Sequence, residues 1–171
     1  HGYYHEEWQC NYSRHGYTNK SIGYARSTDG GRSFAKLGVD SSIITPPLGN
    51  TTTEHQTGEG DHGGARLGDE LLLYFRQWDP VDHPQVRVGA AASSLAARGV
   101  PGAWRKFWRG GYTEPGRGGA SDALANITGT AVYSTSGEGA ALGWGACPML
   151  VSVGSSSAPY YGSPRLAFSP N

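Results

Sequence analysis

Polar side chains recur at alternate positions in residues 3–8, where strand geometry would place them on shared faces. Alternation puts Tyr3, His5 and Glu7 on one face and Tyr4, Glu6 and Trp8 on the other. A histidine and a glutamate on the same face can hydrogen-bond the hydroxyl groups of one ligand. The alternative is an edge strand with ordinary polar side chains, and the residue types alone leave both interpretations open.

A second pair, Arg76 and Trp78, ends the apolar run 69–77 and is predicted to share one face of a strand. A tryptophan ring stacks on the apolar face of a sugar, and a guanidinium binds hydroxyls or carboxylates. Packing between neighbouring sheets is the competing and commoner role for Trp78. The pair therefore indicates a ligand site only in combination with other polar groups.

The segment 27–34 fits the pattern Ser-x-Asp-x-Gly-x-Ser-aromatic, with Ser27, Asp29, Gly31, Ser33 and Phe34 at the fixed positions. An aspartate here can accept hydrogen bonds from backbone N–H groups two or more residues further on, and glycine takes positive φ without steric cost. We expect a β-hairpin corner whose return strand begins at Phe34, with that ring pinned to a core. These residues are predicted to have a structural role.

Composition excludes several classes of function. Charged residues make up 16% of the 171 residues and the formal net charge is zero, so no general attraction to nucleic acid or anionic membranes is expected. No apolar run is long enough to cross a membrane. The histidines and cysteines lack zinc-site spacing, and the glycine-rich segment 58–64 lacks a phosphate-loop lysine, so no metal or cofactor is expected.

The 27 glycines and 10 prolines, without long periodic helices, predict an all-β chain. A strand phrase ending in serine recurs at Gly23–Ser27, Gly89–Ser93 and Leu166–Ser169. This repeat predicts a single propeller-like region of four-stranded antiparallel blades. It divides into a partial blade (1–57), a complete blade (58–110) and a partial blade (111–171). About two and a half blades cannot close a ring, so we expect further blades of a longer polypeptide, or self-association, to complete it. The alternative is an open sandwich built from blade-like hairpins.

The pattern at 27–34 resembles the Asp-box of sialidases and related β-propellers. Several phrases, in their order and spacing, also resemble the five-bladed propeller glycoside hydrolases of the arabinanase and xylosidase type. The phrases are Tyr4–Glu7, Gly23–Phe34, Gly58–Asp61, Leu71–Trp78, Val88–Ser93, Pro101–Lys106 and Glu114–Gly119.

That resemblance implies a central funnel in which two carboxyl groups hydrolyse a glycosidic bond. One gives a proton to the leaving oxygen, and the other acts as a base on water or as a nucleophile. By position, Asp61 and Glu114 are the candidate catalytic residues, with Asp122 competing for the role of Glu114. A turn-capping role for Asp61 and a solvated-loop role for Glu114 stay open. His62 would face away from Asp61 in a regular strand and is a weaker candidate.

Four Asn-x-Ser/Thr sequons predict a secreted, extracellular glycoprotein with glycans on Asn11, Asn19, Asn50 and Asn126. Chance matches in a Ser/Thr-rich chain are the alternative. The only two cysteines, Cys10 and Cys147, would pair as a disulfide in that compartment, or else remain two buried thiols.

Two functions follow as hypotheses. The first is a secreted glycoside hydrolase-like protein that acts on or binds polysaccharide, with His5, Glu7, Arg76 and Trp78 as substrate-binding residues. The second is a non-catalytic extracellular module with a structural or assembly-forming role, since many propellers hydrolyse nothing.

Overall fold

A computed structural model describes residues 1–11, 17–47, 57–79, 83–124, 129–134, 148–153 and 164–168. Its side chains are described for 1–7, 19–38, 40–47, 57–64, 66–78 and 87–124. The strands are β1 (Gly2–Asn11), β2 (Tyr17–Arg26), β3 (Ala35–Lys36), β4 (Ser42–Ile44), β5 (Thr57–Leu67), β6 (Glu70–Asp79), β7 (His83–Ser94), β8 (Arg105–Trp108), β9 (Gly111–Pro115), β10 (Gly129–Ser134), β11 (Pro148–Val153) and β12 (Pro164–Phe168).

The predicted all-β class is confirmed. Within the described ranges the helical structure consists of one short 3₁₀ turn, Val39–Ser41, which precedes β4. No helix in this part of the chain is long and apolar enough to cross a membrane.

The main sheet is mixed and open, with the strand order β1-β2-β5-β6-β7-β8-β9 and with β3 and β4 also paired to β2. Its pairs are antiparallel except for β2 with β5, which run parallel through Asn19–Thr57 and Lys20–Gly58. A second sheet contains β10, β11 and β12. A closed propeller ring is not seen in the described residues, and the propeller stays a prediction.

Four consecutive antiparallel strands, β5 to β8, occupy the range predicted as a complete blade. Two of the three recurring phrases occupy corresponding places. Gly23–Ser27 closes the long strand β2, which a turn joins to the short β3, and Gly89–Ser93 closes the long strand β7, which a turn joins to the short β8. The third phrase ends at Ser169, outside the described residues.

The core follows from alternation along the strands. The fully buried apolar residues are Ile22 and Tyr24 on β2, Ile43 and Ile44 on β4, Leu73 and Phe75 on β6, Ala91 on β7, and Trp104 just before β8. Each large side chain buried in this way stabilises the fold by about 1.5–3 kcal/mol. Tyr3 packs edge-on against Trp104 with ring centres 5.6 Å apart, and burial raises the pKa of Tyr3 to about 12. Tyr3 on β1 thus packs against a residue that lies just before β8, far from β1 in the strand order.

Two expectations are corrected by burial. Phe34 is 50% exposed and lies over Gly2, so this ring does not pin the corner to the core. Asn19 is 1% exposed and its side-chain oxygen accepts a hydrogen bond from the Thr57 hydroxyl. A glycan cannot be accommodated on that buried amide, so Asn19 is not a glycosylation site in the folded chain. The other acceptors and both cysteines (Asn11, Asn50, Asn126, Cys10, Cys147) lie outside the residues whose side chains are described.

Candidate functional site

A β-bulge places Asp61 between two strands. Gly60 pairs with Arg76 and His62 pairs with Phe75, so Asp61 is the extra residue on β5. Its φ is 38°, in the left-handed region that costs a non-glycine residue about 1–2 kcal/mol. A bulge redirects a side chain at the cost of regular pairing, and such strain is concentrated at functional sites. Asp61 is thus held in an unfavourable conformation by the groups that contact it.

Those groups come from β1 and β6. Arg76 donates to the Asp61 carboxylate, with Nη1 3.1 Å from Oδ2. The Asp61 backbone N–H donates to His5 Nδ1 at 2.9 Å, and the same ring nitrogen lies 3.4 Å from Asp61 Oδ1. Because Nδ1 accepts a hydrogen bond, neutral His5 carries its proton on Nε2, which lies 3.2 Å from Glu7 Oε1 and donates to it. His5 therefore joins the Asp61 backbone to the Glu7 carboxylate.

The His5 ring lies directly against Gly60. A Cβ at that position would be 2.5 Å from two atoms of the ring, well inside van der Waals contact. Glycine is therefore required at position 60 for His5 to reach the bulge.

Trp78 and Lys20 complete the group that we call the Asp61 cluster: His5, Glu7, Lys20, Asp61, Arg76 and Trp78. Lys20 Nζ and Arg76 Cζ each lie 4.7 Å from the centre of the Trp78 ring, and Lys20 Nζ is 3.7 Å from Glu7 Oε1. These cations occupy part of the ring surface on which a sugar would stack. Trp78 therefore contacts both cations, which leaves less of its ring free for stacking.

A buried ion pair lies beside the cluster. Glu59, two residues before Asp61, has Oε2 2.5 Å from Lys106 Nζ, and both side chains are almost completely buried. Burial raises the pKa of Glu59 and the Lys106 charge opposes that shift. Lys106 also donates to the carbonyl oxygens of Thr45 and Gly119, which ties β8 to the segments after β4 and β9.

His62 lies on the other side of the bulge from Arg76, because it pairs with Phe75. Burial lowers the pKa of His62, and the nearby His5 lowers it further. The imidazole is partly buried beside the bulge.

The Asp29 corner contrasts with this arrangement. Asp29 Oδ1 accepts from the backbone N–H of Arg32 and Ser33, both at 3.0 Å, and Oδ2 accepts from the Ser33 hydroxyl at 2.5 Å. The Ser27 hydroxyl donates to Asp29 and accepts from the Gly31 N–H at 2.7 Å. These hydrogen bonds, above all those from Ser33, hold the pKa of Asp29 far below its usual range. Asp29 thus organises the turn.

The structure brings together five residues that the sequence proposed: Asp61, His5, Glu7, Arg76 and Trp78. Glu114 lies on β9 opposite Lys106 and takes no part in the contacts of the Asp61 cluster. Asp122 accepts from the Arg109 backbone N–H and caps the turn between β8 and β9. Through His5, the Glu7 carboxylate is linked to the backbone of Asp61.

Sequence reasoning missed Lys20, Glu59 and Lys106. Lys20 sits directly opposite Glu7 in the β1–β2 register, but that register depends on residues 12–16 between the strands and is not readable from alternation. Among the described residues, no group of three or more side chains is arranged to hold a metal ion.

Comparison of the chain with family models, with curated proteins and with solved structures finds no match. The function must therefore be argued from the site.

Proposed function

We propose that this chain is a secreted, glycoside hydrolase-like protein whose Asp61 cluster contacts a polysaccharide. The observation that carries the proposal is the strained bulge that holds the Asp61 carboxylate between Arg76 and His5. A strained backbone conformation persists only where several surrounding contacts hold it in place. Here the contacting side chains are polar and about one quarter exposed: 27% for His5 and 22% for Arg76.

The cluster suits sugar hydroxyls because it presents donors and acceptors side by side. A hydroxyl both donates and accepts, so adjacent hydroxyls of a pyranose fit a carboxylate next to a guanidinium or an imidazole. Asp61 and Glu7 are the acceptors, and Arg76 is the donor. Both carboxylates have 38% of the side chain exposed, so a ligand can reach them.

Hydrolysis would use Asp61 as the base. The oxygen of a water molecule bonds to the anomeric carbon, Asp61 takes the water proton, and the glycosidic C–O bond breaks. The leaving oxygen takes a proton from a carboxylic acid, a role that the resemblance implies for Glu114, which lies outside the Asp61 cluster. In the contact with Arg76, Asp61 is an acceptor, which suits a base or nucleophile better than an acid.

The alternative is a non-catalytic extracellular module. One observation favours it: each carboxylate of the cluster already lies beside a cation, Asp61 beside Arg76 and Glu7 beside Lys20. A carboxylate engaged in this way can bind a sugar without turning it over.

The propeller arrangement belongs to the same proposal. The four antiparallel strands β5 to β8 support one blade, and β1 and β9 end the strand order of the sheet. Such edges invite pairing with further strands. The remaining blades of a longer polypeptide, or other copies of the chain, would cover them.

The experiment is a saccharide panel with two readouts, binding and release of reducing sugar. The wild-type protein should bind at least one polysaccharide, and Asp61→Asn should abolish sugar release while the unfolding midpoint stays within a few degrees. Asp69→Asn is the matched control, since Asp69 lies exposed in the β5–β6 turn, and it should behave as the wild type. Binding without sugar release would select the non-catalytic module. If no saccharide binds at all, the proposal is wrong.

A further inference from the structure

A cavity of about 700 Å³ adjoins the Asp61 cluster and shares His5 and Glu7 with it. The rest of its wall comes from the other face of β1, through Tyr4 and Glu6, and from Lys36 on β3 and Arg117 after β9. The volume lies within the usual range for small-molecule sites and exceeds what a single ion needs. Because β1 is an edge strand, a ligand that contacts His5 and Glu7 can continue around it into this cavity.

The floor of the cavity is built rigidly. The Glu6 carboxylate accepts hydrogen bonds from the hydroxyls of Ser21 and Ser42, both at 2.8 Å. The side chains of Tyr4 and Glu6 lie across Gly23, where a Cβ would be 2.4 Å from the Tyr4 ring. Glycine at this position lets both side chains lie flat on β2, so the floor does not have to rearrange around a ligand.

The charged side chains that line the cavity differ in the partners that they already contact. Glu6 is bonded by two serines, and Glu7 lies beside His5 and Lys20. Arg117 has one carboxylate partner, Asp40, at 3.3 Å, and remains about half exposed. Lys36 has no carboxylate within ion-pair distance among the described side chains, and its Nζ lies 4.2 Å from the centre of the Tyr4 ring. Lys36 is therefore the cation on this wall that is best placed to meet an anionic group of a ligand.

We infer that this cavity binds a sugar unit carrying an anionic substituent, with Lys36 as the group that selects the anion and Arg117 as its neighbour on the wall. This inference rests on the proposed function, because it extends the same saccharide from the Asp61 cluster around β1. The anion is a carboxylate, as in a uronic acid, or a sulfate ester. Either accepts hydrogen bonds from an ammonium and a guanidinium.

The test compares three oligosaccharides of equal length by equilibrium binding to the whole chain. They are a uronic acid tetrasaccharide, the same tetrasaccharide with its carboxylates methyl-esterified, and a sulfated tetrasaccharide. The wild-type protein should bind an anionic ligand about tenfold more tightly than the esterified one. The arm that shows the preference identifies carboxylate or sulfate as the substituent.

Lys36→Gln should remove that preference, so that the anionic and the esterified ligands bind this variant with equal affinity. Arg26→Gln is the matched control, because it removes the same charge from the adjacent strand while Arg26 pairs with Ala35 and so points to the other face. Equal wild-type affinities for charged and esterified ligands, or a preference that survives Lys36→Gln, would overturn the inference and leave the proposed function standing. If none of the three ligands nor any other saccharide binds, both are wrong.

Discussion

Asp29 and Asp61 are both aspartates at irregular places in a β-sheet, but their surroundings differ. Asp29 is fully exposed, and its hydrogen bonds come from Ser27, Arg32 and Ser33, all within four residues of it. Asp61 is contacted by His5 and Arg76, which are 56 and 15 residues away in sequence. One carboxylate closes a local turn, whereas the other joins three strands.

The difference shows how a structural carboxylate can be told from a candidate functional one. The hydrogen bonds of Asp29 come from the turn itself, and glycines absorb the positive φ there. Asp61 takes the positive φ on itself, and its partners are polar side chains that could exchange a contact for a ligand hydroxyl. Strain together with exchangeable partners marks the second site.

The largest expected effect is a loss of stability when the buried ion pair beside the Asp61 cluster is broken. Lys106→Ala should lower the free energy of unfolding by about 3–5 kcal/mol, because it leaves the buried Glu59 carboxyl without its partner. Urea denaturation measures the change. The double variant Glu59→Gln with Lys106→Met should recover only part of the loss, since the carbonyls of Thr45 and Gly119 lose the lysine donor in both. A loss below about 1 kcal/mol for Lys106→Ala would show that this pair does not support the bulge.

A medium effect is expected at Gly60. Gly60→Ala should cost about 1–3 kcal/mol, because its Cβ would displace the His5 ring and with it the hydrogen bond from the Asp61 N–H. Gly64→Ala on the same strand is the control, since its nearest neighbour would be 3.5 Å away, and it should change stability by less than about 0.5 kcal/mol. Equal effects of the two variants in thermal unfolding would mean that His5 is not seated on Gly60.

The smallest expected effect concerns Asp29 and pH. Its pKa in the folded state lies below the ordinary value of 3.8, so its stabilising contribution is complete above that pH and is lost as the pH falls towards the folded-state pKa. Asp29→Asn should therefore show a shallower loss of stability than the wild type below about pH 4. Urea unfolding at pH 2.5, 4 and 7 measures the slopes. Parallel curves for the two proteins would contradict the hydrogen-bonded turn.

Local spacing was enough to predict the Asp29 corner, because every group in it lies within seven residues. Alternation was also enough to place His5 with Glu7 and Arg76 with Trp78, since the period of two holds along any regular strand. The all-β class followed from the turn-rich composition. These features depend on neighbours in sequence.

Features that depend on register or on distant partners were not predictable. The bulge at Asp61 arises from the register in which β5 pairs with β6. The burial of Asn19 arises from the parallel pairing of β2 with β5. The pairing of Glu59 with Lys106 joins residues that are separated by β6 and β7 in the sheet. Phe34 fits the sequence pattern but has no core within reach, so half of it is exposed.

The most direct test is a titration of the ¹⁵N-labelled chain with a saccharide, followed by amide chemical shifts. We predict that the largest shifts fall on Asp61, His62 and Arg76, because the Asp61 N–H depends on His5, while Gly31, Arg32 and Ser33 do not move. Shifts centred on residues 27–33, with Asp61 unmoved at saturation, would contradict the proposal that Asp61 lies in a ligand site and that Asp29 only shapes the turn.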